Sequence, residues 1–433
     1  MIRLEAPLNI SLFRERENQP LLALLVHWLI VTTLFTTAIV VFGNKLPLIN
    51  NKNLTNWDAD WYFKIKQHGY YYIKGQQGPL AFFPLFPFMW KFSLLGQKGI
   101  CLLNLLIYSV SFFFLARSLK LGFISSLFFL STPSLIFCFL PYSEALFFMS
   151  SALMLIGLLN KNEGMILVGM CLAGLSRSVN IVLIPALAYT YLCSYGLTWK
   201  TVRFLMVAAI SLSAVALLVF WIQYLYTGQW FAFFNMQKQW HRTLQLPTLP
   251  LTTLSTKVLW LDVAALFISV MACCDGAVEF FRVFWRKERP GLNAATHFSM
   301  AYLAIMGFLA VFYSGIWPWQ YGSSIMSINR FVFAGPYFIC YIWNRTQKGR
   351  SLQSGIIFLL ALLVAFLCTG VYERLPFHRN YAITLCYFAA IAFYITLYFL
   401  SFRTELLKLL LYGTNVVLMT LLFFDFLGYG WVG

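Results

Sequence analysis

Charged side chains are scarce in this 433-residue chain. Asp, Glu, Lys and Arg make up 10% of its residues, whereas hydrophobic residues make up 61%. A soluble protein of this length could not bury so much apolar surface, so the composition excludes that class. Apolar runs of about 18 residues or more recur, the length that crosses a hydrocarbon core. The sequence therefore predicts an all-α polytopic membrane protein, and the continuous runs exclude a transmembrane barrel, whose strands alternate.

Acidic residues are scarcer still, and paired cysteines are absent. The chain has 14 Asp and Glu against 31 Lys and Arg, a net charge of +17. Lysine-rich and arginine-rich cytoplasmic loops explain such an excess in a membrane protein, so no nucleic-acid partner is expected. The nine cysteines lie in apolar segments without a CxxC pair, which favours small buried side chains over disulfides or metal ligands.

No cleavage site follows the first apolar run, and no polar linker divides the chain. The run from Leu21 to Phe42 is too long for a signal-peptide core, so we expect a permanent first helix after a short interfacial segment. We predict a single membrane domain over 1–433. The further predicted spans are 99–116, 121–140, 142–159, 203–226, 255–275, 296–314, 325–343, 352–371, 381–401 and 405–427.

The region 164–195 is too long for one helix and too short for two full spans. With Arg177 near its middle, it predicts a pair of short helices that meet at this residue below the membrane surface. Irregular backbone at that depth is tolerated where it lines protein or a watery cavity. Counting this region, about 11–13 transmembrane helices are expected.

Loop charges predict the orientation. With the N-terminus in the cytoplasm, most loop Lys and Arg lie on the inner side, as the positive-inside rule requires. The first outer loop, 44–98, is an exception because it is rich in lysine, and such lysines suit an anionic ligand such as a lipid phosphate. They are Lys45, Lys52, Lys64, Lys66, Lys74, Lys91 and Lys98.

The first outer loop also holds the densest set of reactive and aromatic residues. Trp57-Asp58-Ala59-Asp60-Trp61-Tyr62 places two carboxylates two positions apart beside aromatic rings. Such a pair suits a metal ion, or a general base beside an aromatic platform that binds a sugar. The alternative is an interfacial amphipathic helix anchored by its aromatic residues.

These residues resemble the PIG-V-like mannosyltransferases, the GPI mannosyltransferase II family with its bacterial relatives. Five segments in the expected order carry the resemblance, which runs from about residue 56 to 340. They are WDADWYFKIKQHGY with FFPLFP (57–87), PYSEALFF (141–148), LSRSVNIVLIP (175–185), TGQWFAFFNMQKQWHR (227–242) and SINRFVFAGPYF (327–338).

The resemblance implies a GT-C fold whose first outer loop, 44–98, is catalytic. It also implies a polyprenyl-phosphate-linked sugar donor, with mannose as the expected sugar, and a lipid or glycan acceptor at the extracytoplasmic face. Transfer from a β-linked donor to an α-linked product is an inverting displacement that needs one base and positive charge at the leaving phosphate. Asp58 matches the family's aspartate directly after tryptophan and is the expected base. Asp60 is expected to support it or to have no role.

Two arginines in apolar segments are the expected phosphate ligands. Intramembrane charges are expensive and usually functional, and a guanidinium binds phosphate in a bidentate manner. These two residues are Arg177 and Arg330, which both lie in apolar segments. The alternative is a buried pair with Glu144 or Asp262, and Glu144 is expected to orient one of the arginines.

The remaining site candidates lie in the two outer loops. His241 and Arg242, in the second outer loop 227–254, are expected to contact donor phosphate or acceptor, or else to be a solvated loop edge. His68 is expected to support the first loop. Trp57, Trp61 and Tyr62 are the aromatic substrate contacts. No cofactor is expected, and a divalent metal is not required because no His or Cys cluster accompanies the carboxylates.

Two other functions are alternatives to the transferase. A transporter or flippase usually has inverted repeats and paired broken helices, and here one broken region has no counterpart. A polysaccharide ligase or polymerase usually has its large functional loop late in the chain. The sequence departs from the family at Ser178-Val179-Asn180, where relatives often have Pro or Gly, and beyond residue 350 no motif matches. The acceptor therefore stays open.

Overall fold

Helices account for nearly all regular structure in this protein. The computed structural model describes residues 18–315, 322–347, 353–368, 370–371 and 381–433, so most of the predicted interfacial segment lies outside the described residues. The helices are α1 Gln19–Phe42, α2 Asp58–His68, α3 Leu85–Phe92, α4 Gln97–Ser118, α5 Phe123–Leu130, α6 Glu144–Asn160, α7 Glu163–Ser176, α8 Asn180–Tyr195, α9 Trp199–Thr227, α10 Ala232–Gln239, α11 Thr256–Phe284, α12 Ala294–Phe312, α13 Ile328–Phe333, α14 Pro336–Gln347, α15 Ser354–Leu367, α16 Tyr381–Leu400 and α17 Glu405–Leu427.

Seven of these helices are long and apolar enough to cross a membrane: α1, α4, α9, α11, α12, α16 and α17. The shortest has 19 residues, about 29 Å at 1.5 Å per residue, which matches a hydrocarbon core of about 30 Å. Four shorter apolar helices, α6, α7, α8 and α15, bring the total in the described residues to eleven. The predicted class is confirmed: this is a multi-pass integral membrane protein.

The region 164–195 forms two short helices, as the sequence predicts. Helix α7 ends at Ser176, Arg177 is extended (φ −149°, ψ 157°), and α8 begins at Asn180. A short turn at Lys161 connects α6 to α7, and the two helices pack tightly against each other. Helix α7 has little contact with α8. Helices α7 and α8 therefore meet end to end at Arg177, while α6 and α7 form a hairpin.

Two other predicted spans are interrupted. Within 121–140, α5 ends at Leu130 and a 3₁₀ helix follows over Pro133–Cys138. Within 325–343, α13 ends at Phe333 and α14 begins at Pro336. Proline explains both breaks because its ring removes a donor and disfavours helical backbone at the preceding residue. Hydropathy averaged over a window does not detect such interruptions.

The two loops that are predicted to be the outer ones, 44–98 and 227–254, pack on each other. Side chains of Ile65 and Leu80 in the first loop form one apolar cluster with Ala232 and Met236 of α10 in the second. Gln223 at the end of α9 donates from Nε2 to the carbonyl of Leu80 at 2.9 Å. Short strands follow α10: β1 Thr243–Leu244 pairs antiparallel with β3 Tyr313–Ser314, and β2 Thr252–Thr253 pairs parallel with β4 Gly370–Val371.

Candidate functional site

Arg330 is the centre of a buried charge cluster formed from distant parts of the chain. Its Nη1 donates to Oδ2 of Asp58 at 2.7 Å, and its Nε and Nη2 donate to Oε1 of Glu144 at 2.9 and 2.6 Å. The Arg330 side chain is 5% exposed and that of Glu144 is fully buried. Arg330 therefore links the first outer loop to the start of α6.

Arg177 joins the same cluster. Its Nη1 lies 2.8 Å from Oε1 of Glu144, so one carboxylate oxygen contacts two guanidinium groups. The other oxygen, Oε2, is buried without a hydrogen bond in the part of the chain that the structure describes. Aromatic faces cover both cations, because Arg177 lies 4.5 Å from the ring of Phe331 and Arg330 lies 4.8 Å from that of Tyr142.

Local structure explains why Glu144 and Arg177 meet. Glu144 is the first residue of α6, and Arg177 directly follows the last residue of α7. A carboxylate at a helix N-terminus and a cation at a C-terminus are each favoured by the helix dipole. Since α6 and α7 form a hairpin, these two ends lie side by side. Of the expected alternatives for the arginines, the pair with Glu144 is the one observed.

Asp262 does not pair with either arginine, contrary to the alternative raised from the sequence. Its Oδ1 accepts from the side-chain amide of Asn329 at 2.7 Å and from the Asn329 backbone at 3.2 Å, and its Oδ2 accepts from Thr253 Oγ1 at 2.6 Å. Asn329 precedes Arg330 in α13. Asp262 therefore fixes the short helix that carries Arg330, a role that the sequence analysis missed.

A second set of hydrogen bonds joins α2 to the start of α6. The hydroxyl of buried Tyr62 donates to Ser143 Oγ at 2.8 Å, and the hydroxyl of Tyr142 donates to the carbonyl of Asn56 at 3.3 Å. Burial raises the pKa of Tyr62, and the charge of Glu144 raises it further. Tyr62 is therefore a neutral donor. The segment PYSE contained Tyr142 and Ser143, but its resemblance drew attention to Glu144 alone.

Asp58 is the most accessible acidic group of the cluster. Its side chain is 23% exposed. Oδ2 accepts from Arg330, whereas Oδ1 has no hydrogen bond with any described residue. One oxygen is thus anchored and the other is available to a ligand.

Arg242 contributes a third cation. Burial lowers its pKa, the charges of Arg330 and Arg177 act in the same direction, and the charge of Asp58 opposes them. The side chain is half-buried and its guanidinium makes no ion pair among the described residues. Three arginines thus face two carboxylates, Asp58 and Glu144. The cluster has an excess of one positive charge, which suits an anion.

Trp61 and Trp57, which flank Asp58 in the sequence, have different partners. Trp61 packs edge-to-face on Trp240 at 6.0 Å, which joins the two outer loops beside Arg242. Trp57 instead stacks on Tyr429 at 4.7 Å. The contact with Tyr429 near the C-terminus was not expected, because no motif marks that segment.

Three ionisable site candidates are not members of the cluster. Asp60 pairs with Lys64 at 2.7 Å on the exposed side of α2. His68 is exposed at the end of α2, about 15 Å along the helix from Asp58 at 1.5 Å per residue. His241 is also exposed. Its backbone carbonyl lies so close to Gly315 that there is no room for a side chain at that position.

Asp58 and Asp60 have different partners, Arg330 and Lys64. Among the described residues, no group of three or more His, Cys, Asp or Glu is placed to hold a metal ion. Metal dependence stays untested, and the arginine excess offers positive charge from the protein itself.

Comparisons with known proteins add little. No family model matches the chain, and no curated protein does. Among solved structures, the chain is similar to ArnT from Cupriavidus metallidurans bound to undecaprenyl phosphate. The TM-score is 0.46 with 13% identity, over 92% of this chain and 76% of that chain. A similarity at this level carries no argument about the function of this protein.

Proposed function

We propose that the protein is a GT-C-type membrane glycosyltransferase that moves a sugar, mannose by resemblance, from a polyprenyl phosphate to a hydroxyl of a lipid or glycan. Asp58 is the general base. The reaction takes place where the two outer loops meet, at the extracytoplasmic face if the N-terminus is cytoplasmic.

One observation carries the proposal: a carboxylate with one oxygen available lies in a cluster where arginines outnumber carboxylates. Arg330 holds Oδ2 of Asp58 and leaves Oδ1 available, while Arg242 feels the charge of Asp58 but forms no ion pair among the described residues. A sugar phosphate needs both features together, a base for the attacking hydroxyl and a cation for the leaving group. All five segments that resemble the mannosyltransferases contribute a residue to this cluster.

The proposed reaction is a single displacement. Asp58 Oδ1 accepts the proton of the acceptor hydroxyl as that oxygen bonds to the anomeric carbon. The bond from this carbon to the phosphate oxygen breaks, and the electron pair leaves with the phosphate. No acid is needed, because phosphate bound by guanidinium groups is a good leaving group.

Among the three arginines, Arg242 is the strongest candidate for the first phosphate contact. Arg330 already contacts two carboxylates and Arg177 contacts one. A ligand that binds either of them competes with these buried pairs, whereas a ligand that binds Arg242 breaks no ion pair among the described residues. This ranks the arginines differently from the sequence analysis, which favoured Arg330 and Arg177.

The test is sugar transfer in membrane vesicles with labelled polyprenyl-phosphate-mannose. Wild-type vesicles should form a labelled product that empty vesicles lack, and Asp58→Asn should lower turnover about 10²- to 10⁴-fold, the usual contribution of a general base. Donor binding should be largely retained, because the amide keeps the shape of the carboxylate.

Asp60→Asn is the matched control, since Asp60 lies on the same helix but pairs with Lys64. Its turnover should stay near wild type. Near-normal turnover by Asp58→Asn would disprove the base assignment. If wild type fails with mannose and with other polyprenyl-linked sugars, a transporter or flippase becomes the better account.

A further inference from the structure

Trp57 has a backbone conformation that few tryptophans adopt. Its φ is 58° and its ψ is −126°, in the half of conformational space that favours glycine. Helix α2 begins at the next residue, Asp58, so the conformation of Trp57 sets the direction in which Asp58 leaves the loop. A strained residue of this kind persists only when surrounding contacts determine its position.

The C-terminal segment 429–431 supplies those contacts. The ring of Trp57 stacks on Tyr429 at 4.7 Å and meets Trp431 edge-on at 4.9 Å, with an interplanar angle of 90°. Trp57 Nε1 also donates to the carbonyl of Gly430 at 3.0 Å. Three consecutive residues therefore hold the indole, through a stacked ring, a perpendicular ring and a hydrogen bond to its polar atom.

Gly433, in the same C-terminal segment, lies close to Arg330, the ion-pair partner of Asp58. A β-carbon at Gly433 would lie 3.0 Å from Cγ of Arg330 and 2.8 Å from the ring of Phe137. Upstream, the side-chain amide of Asn56 donates to the carbonyl of Phe426 at 2.7 Å. Residues 426–433 thus contact Asn56, two positions before Asp58, and also Arg330, the partner of Asp58.

We infer that Tyr429 and Trp431 are positioning residues for the base: they hold Trp57 in its strained conformation and so keep Asp58 Oδ2 on Arg330 and Oδ1 toward the acceptor. The inference rests on the proposed function. It differs from a general packing role, because it ties this segment to turnover and not to donor binding.

The first test compares kcat with the apparent KM for the donor. Trp431→Ala should lower kcat about tenfold or more, because small displacements of a reacting group are costly, and should leave the donor KM unchanged. Trp431→Phe, which keeps an aromatic edge, should recover most of the loss. Trp285→Ala is the control, an equally large truncation of an exposed tryptophan elsewhere.

If Trp431→Ala does not accumulate in membranes, Tyr429→Ala replaces it, since this change removes only the stacked and largely exposed ring. Wild-type kcat in the variant that accumulates would overturn the inference. An equal loss of kcat in Trp285→Ala would also overturn it, by showing an unspecific effect.

A second readout needs no sugar donor. The thiol introduced by Asp58→Cys is titrated with a charged thiol reagent, and the labelling of the parent protein is subtracted. Adding Trp431→Ala, or Tyr429→Ala, should change the labelling rate severalfold, because position 58 is no longer held. An unchanged rate contradicts the inference even if no transfer is found, whereas a changed rate without any transfer counts against the proposed function alone.

Discussion

Two charged clusters of the described residues contrast in how they are built. The Asp58–Arg330 cluster joins residues 272 positions apart, together with Glu144, Arg177 and Arg242. The cluster at the turn between α11 and α12 is local: Arg282 donates to Glu288 at 2.7 Å, and Glu279 accepts from the backbone of Gly291 at 2.6 Å. The first cluster therefore requires distant parts of the chain to meet, whereas the ion pairs of the second form within residues 279–297.

The two clusters also differ in their balance of positive and negative charge. Among the described residues of the turn cluster, Glu279 and Glu288 face Arg282 and Arg286, and His297 Nε2 lies 3.6 Å from Oε1 of Glu279. The carboxylates and the arginines are therefore equal in number. In the Asp58–Arg330 cluster, three arginines face two carboxylates. A balanced local cluster shapes a turn, whereas an unbalanced cluster in a partly open place has charge left for a ligand. Four substitutions test this contrast, from the largest expected effect to the smallest.

Glu144→Gln should have the largest effect on stability. It leaves Arg177 and Arg330 buried without this carboxylate, and removing one partner of a buried ion pair costs about 3–5 kcal/mol. We expect a clear fall in the thermal unfolding temperature of detergent-solubilised protein. An unchanged unfolding temperature would show that water reaches these arginines. Glu288→Gln in the turn cluster is the matched control.

Arg242→Ala should weaken donor binding without unfolding the protein. The guanidinium has no ion pair among the described residues. Its removal therefore leaves no buried carboxylate without its ion-pair partner, and we expect little loss of stability. A charged hydrogen bond contributes about 1.5–3 kcal/mol, which corresponds to a donor KM raised about 10- to 150-fold. The control Arg286→Ala should leave KM unchanged. Equal KM values for wild type and Arg242→Ala would remove Arg242 from the phosphate site.

Tyr62→Phe should have a smaller effect. It removes the donor to Ser143 while keeping the ring, and a neutral hydrogen bond contributes about 0.5–1.5 kcal/mol. We expect a modest loss of thermal stability and a similarly modest loss of kcat, because α2 is held less firmly to α6. A large loss of kcat with unchanged stability would instead place the Tyr62 hydroxyl in contact with substrate.

Glu288→Gln should have the smallest effect. Its partner Arg282 is about one-third exposed and retains Glu279 as a neighbour. Transfer rate and donor KM should match those of wild type in the vesicle assay. A measurable loss of transfer would mean that the two clusters communicate, and the contrast between them would fail.

The class of protein and most of the cluster followed from the sequence, for different reasons. Long apolar runs identify membrane helices because length and hydropathy are local properties. Arg177, Arg330 and Glu144 could be singled out because charge in an apolar segment is rare. The sequence offered Glu144 and Asp262 as partners for the arginines but could not decide between them, since the α6–α7 hairpin and the short helix α13 bring these residues together only in three dimensions.

Other parts of the site had no such signal. Asp262 was expected to be a possible partner for an arginine, but it supports Asn329, one residue away from the charge. The roles of Tyr429 and Trp431 were not foreseen, because aromatic residues near the end of a membrane helix are also typical interfacial anchors. The breaks at Pro133 and Pro336 show that proline can divide a run whose average hydropathy predicts a single span.

The α6–α7 hairpin has a consequence for how the chain enters the membrane. Glu144 and Arg177 lie at its two ends and pair with each other. An unpaired charge resists transfer into lipid, but an ion pair closed within one hairpin can enter as a unit with less cost than either charge alone. The hairpin can therefore be inserted during synthesis before Arg330 has been made. A chain with Glu144→Gln would present Arg177 alone at that moment, so its defect should already appear during biogenesis.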